Sequence, residues 1–150
     1  MHRRRLLLTA VASGLVAVPL SRPSAEPSAM TVYKSPWCGC CGAWVDHVRA
    51  AGFAVEVHDV DDLAPIKRMA GIPETLASCH TASIDGYAIE GHVPAHVIRR
   101  LLDERPAVRG LAVPGMPIGS PGMEGPSPEP YAVYSFADGR RPERYAVIRP

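Results

Sequence analysis

An excess of charge of either sign is missing from this sequence. Sixteen Lys and Arg stand against fifteen Asp and Glu in 150 residues, a formal net charge of +1. That balance gives no electrostatic case for nucleic acid or an anionic membrane surface as a partner. Aromatic residues are scarce at 6%, with two Trp and two Phe. The longest apolar stretch, Leu6 to Leu20, is too short and too rich in small residues for a stable membrane span. No Ser-His-Asp order and no paired catalytic carboxylates stand out. The stretch from Gly115 to Gly125 is Gly-rich but lacks the lysine and the following helix of a phosphate cradle. Cysteine is limited to four residues. A chain of this length buries a working core without disulfide staples, so those four thiols are free for chemistry.

The first residues carry an address. Arg3-Arg4-Arg5 makes a basic start, Leu6 to Leu20 an apolar middle, and Ser21 to Ala29 a polar end. This is the pattern of an export signal over residues 1–29, ahead of one domain over 30–150. The three arginines satisfy both the general secretory template and a loose twin-arginine one. Pro23 and Pro27 make cuts after Ala25 or Ala29 poor, so an uncleaved N-terminal anchor stays open. Without residues 1–29 the charge balance is about −2.

Met30 to Lys34 is rich in β-formers and reads as a strand. Ser35-Pro36-Trp37 breaks it. Cys40 to Ala51 then reads as a helix, with Trp44, Val45, Val48 and Ala51 at helical spacing. Phe53 to Val60 alternates as a second strand. Asp61-Asp62 caps a helix over Leu63 to Ala70, with Met69 on its core side and Gly71 as its stop. Thr81 to Ile84, a turn at Asp85-Gly86, and Tyr87 to Glu90 form a hairpin. Pro94 opens a helix to Leu102. The order β-α-β-α-β-β-α predicts an α/β, thioredoxin-like fold, a small mixed sheet flanked by helices. Residues 106–130 are Pro- and Gly-rich and read as a long structured loop. Ala132 to Phe136 and Tyr145 to Ile148 make a final strand pair.

The strongest signal is Trp37-Cys38-Gly39-Cys40-Cys41-Gly42, set between a strand and a helix. Cys38 and Cys41 alone make the C-x-x-C of a thiol-disulfide oxidoreductase. Thiols at a helix N-terminus ionise readily, because the dipole and free N–H groups stabilise thiolate. Cys40 departs from that pattern. A third thiol between attacking and resolving partners invites wrong disulfides. Cys79, in Ser78-Cys79-His80-Thr81, is brought to the same surface by the expected topology. Three thiols in four positions plus one supplied by folding make a thiolate-rich cup. Thiolates select soft metals, and sulfurs in one turn suit bridged copper(I) better than tetrahedral zinc or an iron–sulfur cluster. Pure disulfide stapling is the bland alternative, and a Cys38–Cys41 bridge is a credible resting state.

Met116 and Met123 in the Pro/Gly loop offer thioethers, or else pin that loop to the core. His80 beside Cys79 and His92 before Val93-Pro94 are candidate ligands or tuners of a thiolate. His47 lies too far along the first helix to touch a metal held at the cysteines. Trp37 is expected to shield the site, with Tyr33 and Trp44 packing.

Four motifs in order carry a resemblance: Lys34 to Gly42, Leu76 to Thr81, Glu90 to Pro94, and Gly110 to Pro117. Together they resemble an exported bacterial metal-binding family of thioredoxin-like fold, the CopG copper-resistance proteins. The resemblance spans roughly residues 30–125. It implies a periplasmic role in copper tolerance and a site for more than one copper(I) ion built from Cys38, Cys40, Cys41 and Cys79. Met116, Met123 and His92 fall in the same pattern. The partners implied are copper ions and periplasmic copper-handling proteins. A periplasmic oxidoreductase using Cys38 and Cys41, or a zinc-stabilised binding module, are the rival expectations.

Overall fold

The computed structural model describes residues 29–150. The export segment expected over 1–29 lies outside the described residues, Ala29 excepted. Strand β1 (Met30–Lys34) runs into the turn at Ser35-Pro36-Trp37 and then helix α1 (Gly39–Ala50). Pro36 disfavours helix at Ser35 and lacks an N–H of its own, so α1 starts beyond it. Cys38 is the N-cap, in extended conformation, and no side chain caps the helix. Free N–H groups of the first turn therefore stay at the cysteines. Cys41, Trp44, Val45 and Val48 are the buried stripe of α1.

β2 (Val55–Asp59) returns parallel to β1. α2 (Ala64–Ala70) follows, with the Asp62 carboxylate accepting from the Ala64 N–H at 2.8 Å. A short 3-10 turn over Glu74–Leu76 leads to the hairpin of β3 (His80–Ile84) and β4 (Tyr87–Glu90). Then come α3 (Ala95–Glu104), β5 (Gly110–Ala112), β6 (Tyr131–Phe136) and β7 (Glu143–Ile148). The order through α3 is β-α-β-α-β-β-α, as the sequence predicts. The fold is mixed α/β. One sheet of seven strands runs β2-β1-β3-β4-β5-β6-β7, with β1/β2 and β4/β5 parallel and the other pairs antiparallel.

Alternation along the strands divides the core. Val32, Ile89, Leu111 and Val133 face one way and pack with Trp44 and Val48 of α1 and Ile98 and Leu101 of α3. Ala88, Ala112 and Phe136 face the other way, with Leu76 and Ala70 against them. Each large side chain so buried contributes about 1.5–3 kcal/mol.

Two sequence expectations need correction. Met69 is 75% exposed, not core. The inward stripe of α2 is Leu63, Ile66, Lys67 and Ala70, each only part-exposed, and Met69 falls outside it. Helical spacing says which residues share a face, not which face meets the sheet. β5 lies inside the stretch read as loop. Three residues are too few for alternation to show, and only pairing with β4 and β6 makes them a strand. Among the described residues no helix is long and apolar enough to cross a membrane.

Candidate metal centre

The turn after β1 and the first turn of α1 set three cysteines side by side. Cys38 and Cys41 are joined in a disulfide, while Cys40 and Cys79 are free thiols. Cys40 Sγ lies 3.4 Å from Cys38 Sγ and 3.6 Å from Met116 Sδ. The sulfurs of Cys38, Cys40, Cys41 and Cys79 all lie within 4.8 Å of one another. Trp44, fully buried, donates its indole N–H to the Val93 carbonyl at 2.9 Å and so ties α1 to the turn that carries His92.

Cys79 reaches this group because its flanks are held from inside. Glu90, the last residue of β4, is fully buried. Its carboxylate accepts from the Ser78 N–H at 2.6 Å, from Thr81 Oγ1 at 2.7 Å and from Lys67 Nζ at 2.5 Å. Those contacts bracket Cys79 and His80. Gly91 follows with φ +68°, and a Cβ there would lie within 2.6 Å of both Ser78 Cβ and the Val113 carbonyl. Only glycine allows that approach. Ser78 Oγ donates to the Gly115 carbonyl at 2.5 Å, which brings the Met116 loop to the same edge.

Cys79 also faces two imidazoles. His92 Nε2 is 3.0 Å and His80 Nδ1 3.4 Å from Cys79 Sγ. The Pro121 carbonyl lies 2.8 Å from His92 Nδ1. A carbonyl only accepts, so Nδ1 carries the proton and the Nε2 lone pair is turned to Cys79. Burial holds His92 below the ordinary imidazole value and, with neighbouring His92 and Lys67, pulls His80 down to about 3. Both rings are therefore neutral near pH 7, the form that ligates metal. Burial, reinforced by Cys40, pushes the Cys79 thiol up to about 12. This thiol keeps its proton until a cation displaces it, unlike a thiol at a helix N-terminus.

The structure thus brings together Cys38, Cys40, Cys41, Cys79, Met116 and His92, with His80 beside them. Met123 contributes its backbone, which bonds Gly119 and Ser120. Gly122 lays the loop on α1: with φ +87°, a side chain there would come 2.6 Å from the Cys40 carbonyl. Trp37 is 90% exposed and shields nothing. His47 accepts from the Ala95 N–H at 3.1 Å, capping α3 instead of serving the site. Glu90 and Lys67 were not expected. Their signal was a charge at the end of an apolar strand and another on the inner stripe of α2, legible only once those elements pair.

Comparison with known proteins bears on this arrangement. A family described as "Protein of unknown function, DUF411" matches residues 76–123, from the 3-10 turn to the end of the loop over α1. No curated protein matches the chain. Two solved structures, "Copper resistance protein copG- Form 2" and "Form 1", each align at 42% identity and a TM-score of 0.77, covering 83% of this chain and 100% of theirs. The chain belongs to the CopG family. The CopG alignment extends far beyond residues 76–123 and takes in the full length of the solved chains.

Proposed function

We propose that this CopG-family chain binds copper(I) in the periplasm and serves copper tolerance by sequestering, passing on or redox-cycling the ion. The single observation that carries the reading is the group of four cysteine sulfurs within 4.8 Å of one another. Soft thiolates and a thioether are the donors copper(I) prefers. Cys38, Cys40, Cys41 and Cys79 are the ligands proposed, with Met116 at the rim and His92 behind Cys79. Met123 is proposed as a ligand from its place in the same loop, where its backbone is tied to Gly119 and Ser120. Cys38 and Cys41 join the set once their disulfide takes up two electrons and two protons from a thiol reductant. Met116, 48% exposed, gives copper-handling partners in the periplasm an approach. The strand order β2-β1-β3-β4, with α1 and α3 on one face, supports the thioredoxin-like frame.

Sulfurs this close bridge metal ions, so the reduced chain is expected to take up more than one copper(I). An anaerobic titration of the reduced protein, with sulfur-edge absorption to count bound thiolates, reads this directly. A strict one-to-one stoichiometry would count against a cluster. For location, a reporter fused after residue 30 is expected outside the cytoplasm; a cytoplasmic reporter removes the periplasm from the proposal.

One observation favours a second reading. The Cys38–Cys41 disulfide is what an oxidoreductase of the C-x-x-C type presents in its oxidised state. The free thiol of Cys40, 3.4 Å from Cys38, argues against clean exchange, because it competes for the same sulfur.

A further inference from the structure

The disulfide withdraws Cys38 and Cys41 from metal binding, yet it leaves a second donor set intact. Cys79, His80 and His92 each offer one ligand atom, all within 4.8 Å of one another, with both histidines buried. Their separations can be compared with coordination geometry. Metal–sulfur bonds of ~2.3 Å and metal–imidazole bonds of ~2.0 Å, meeting at a tetrahedral angle, hold sulfur and nitrogen about 3.5 Å apart. Cys79 Sγ and His80 Nδ1 are 3.4 Å apart. The 3.0 Å to His92 Nε2 opens to that value with a small ring movement.

Both rings are prepared for the role. His92 has its other nitrogen fixed by the Pro121 carbonyl, the usual support behind a ligating histidine. His80 is fully buried, and among the described residues its Nε2 has no hydrogen-bond partner. The ring is clamped between Trp44, with centroids 4.3 Å apart, and His92, at 5.4 Å. One thiolate with two imidazoles is a borderline donor set. It accepts zinc, cobalt(II) or copper(II) and favours copper(I) less than the all-sulfur cup does.

We propose that the disulfide-bonded chain binds one borderline divalent transition-metal ion through Cys79 Sγ, His80 Nδ1 and His92 Nε2. The proposal rests on the metal-binding reading above and adds that Cys79 belongs to two donor sets, chosen by the state of Cys38 and Cys41. Binding expels the Cys79 thiol proton to water and changes no oxidation state.

The probe is cobalt(II), added to the full chain after alkylation and mass measurement confirm one closed disulfide. The expected result is one ion per chain, a thiolate-to-cobalt charge-transfer band, and X-ray absorption showing one sulfur and two imidazoles. Cys79→Ser should abolish the band. His92→Ala should weaken binding at least about tenfold, which is ~1.4 kcal/mol. His58→Ala, an exposed histidine on β2, should change nothing. If His80→Asn does not fold, the imidazole count in the unaltered chain still reads His80's part. No charge-transfer band, a band that survives Cys79→Ser, undiminished cobalt(II) affinity in His92→Ala, or a spectrum without two imidazoles overturns the proposal. Copper(I) titration of the same protein after reduction keeps the two readings apart. Full copper(I) loading with no cobalt(II) site sinks only this inference. A cobalt(II) site with no copper(I) loading sinks only the all-sulfur cup.

Discussion

Reduced protein carrying Cys40→Ser is expected to lose at least one copper(I) ion, or to hold it about tenfold more weakly, ~1.4 kcal/mol. Cys40 Sγ sits between Cys38 Sγ at 3.4 Å and Met116 Sδ at 3.6 Å, the position of a bridging sulfur. Cys79→Ser should do the same from the far side of the cup, 38 residues after Cys41 in the chain. Its thiol is one of the four sulfurs within 4.8 Å. A dithiol oxidoreductase needs neither residue. Under that rival, insulin-type disulfide reduction survives or improves in Cys40→Ser, because a competing thiol is gone. The unaltered chain should show little such activity. Unchanged copper loading in both variants, alongside strong reductase activity in the unaltered chain, would reverse the choice. Loss in Cys40→Ser alone would keep copper and move Cys79 out of the ligand set.

Lys67→Met is expected to destabilise the fold by about 3–5 kcal/mol, the usual result of removing one partner of a buried pair. Glu90 is fully buried, and among the described residues Lys67 is its only cationic contact, at 2.5 Å. On a domain of this size the midpoint of thermal unfolding should fall on the order of 10 °C. The pH dependence has a definite sign. Burial already holds the Glu90 carboxyl above the ordinary carboxylate value, and Lys67 pulls it back. A carboxyl raised in the folded state binds more protons folded than unfolded. Stability is therefore greatest below the ordinary carboxylate pKa and is lost as pH rises through the folded one. Without Lys67 that window extends upward, so acidifying the variant should recover part of its stability. Chemical denaturation across a pH series measures this, and a flat profile would show that the pair is not what holds β4 to α2. Adding Glu90→Gln should rescue Lys67→Met, since a neutral amide needs no counter-charge. Copper loading should follow stability only if Cys79 is displaced with Ser78 and Thr81.

The cysteine turn was legible because its signal is local. Cys38, Cys40 and Cys41 lie in four consecutive positions, and the breaker Pro36 and the apolar spacing after Gly42 define the strand and helix around them. Cys79 was placed by topology, and β1 pairing β2 and β3 brings it there. What sequence left open was orientation. Met116 and Met123 are alike as residues in one loop, and it takes the fold to set the Met116 sulfur 3.6 Å from Cys40 Sγ. The helix pattern puts Met69 in the core and the cysteine motif puts Trp37 over the site, yet both are exposed. His80 and His92 could not be told from ordinary histidines until the fold set both against one thiol. Glu90 and Lys67 carried no motif, since a buried ion pair exists only between elements already packed.

The donors around the cysteine turn also differ in when they exist. Cys38, Cys40 and Cys41 are neighbours even in a chain with no tertiary structure, so a nascent, reduced polypeptide already offers copper three sulfurs. Cys79, His92 and Met116 join only after the sheet, α3 and the loop have closed. Metal gripped by the early trio binds folded and unfolded chains alike and stabilises neither over the other. Metal that also engages the late donors binds the folded chain alone, and at a free concentration of a thousand times the dissociation constant adds about 4 kcal/mol to its stability. Under the copper proposal, the difference in melting temperature between copper-loaded and copper-free protein would measure how far the ion is held by the completed cup and not by the cysteine turn alone.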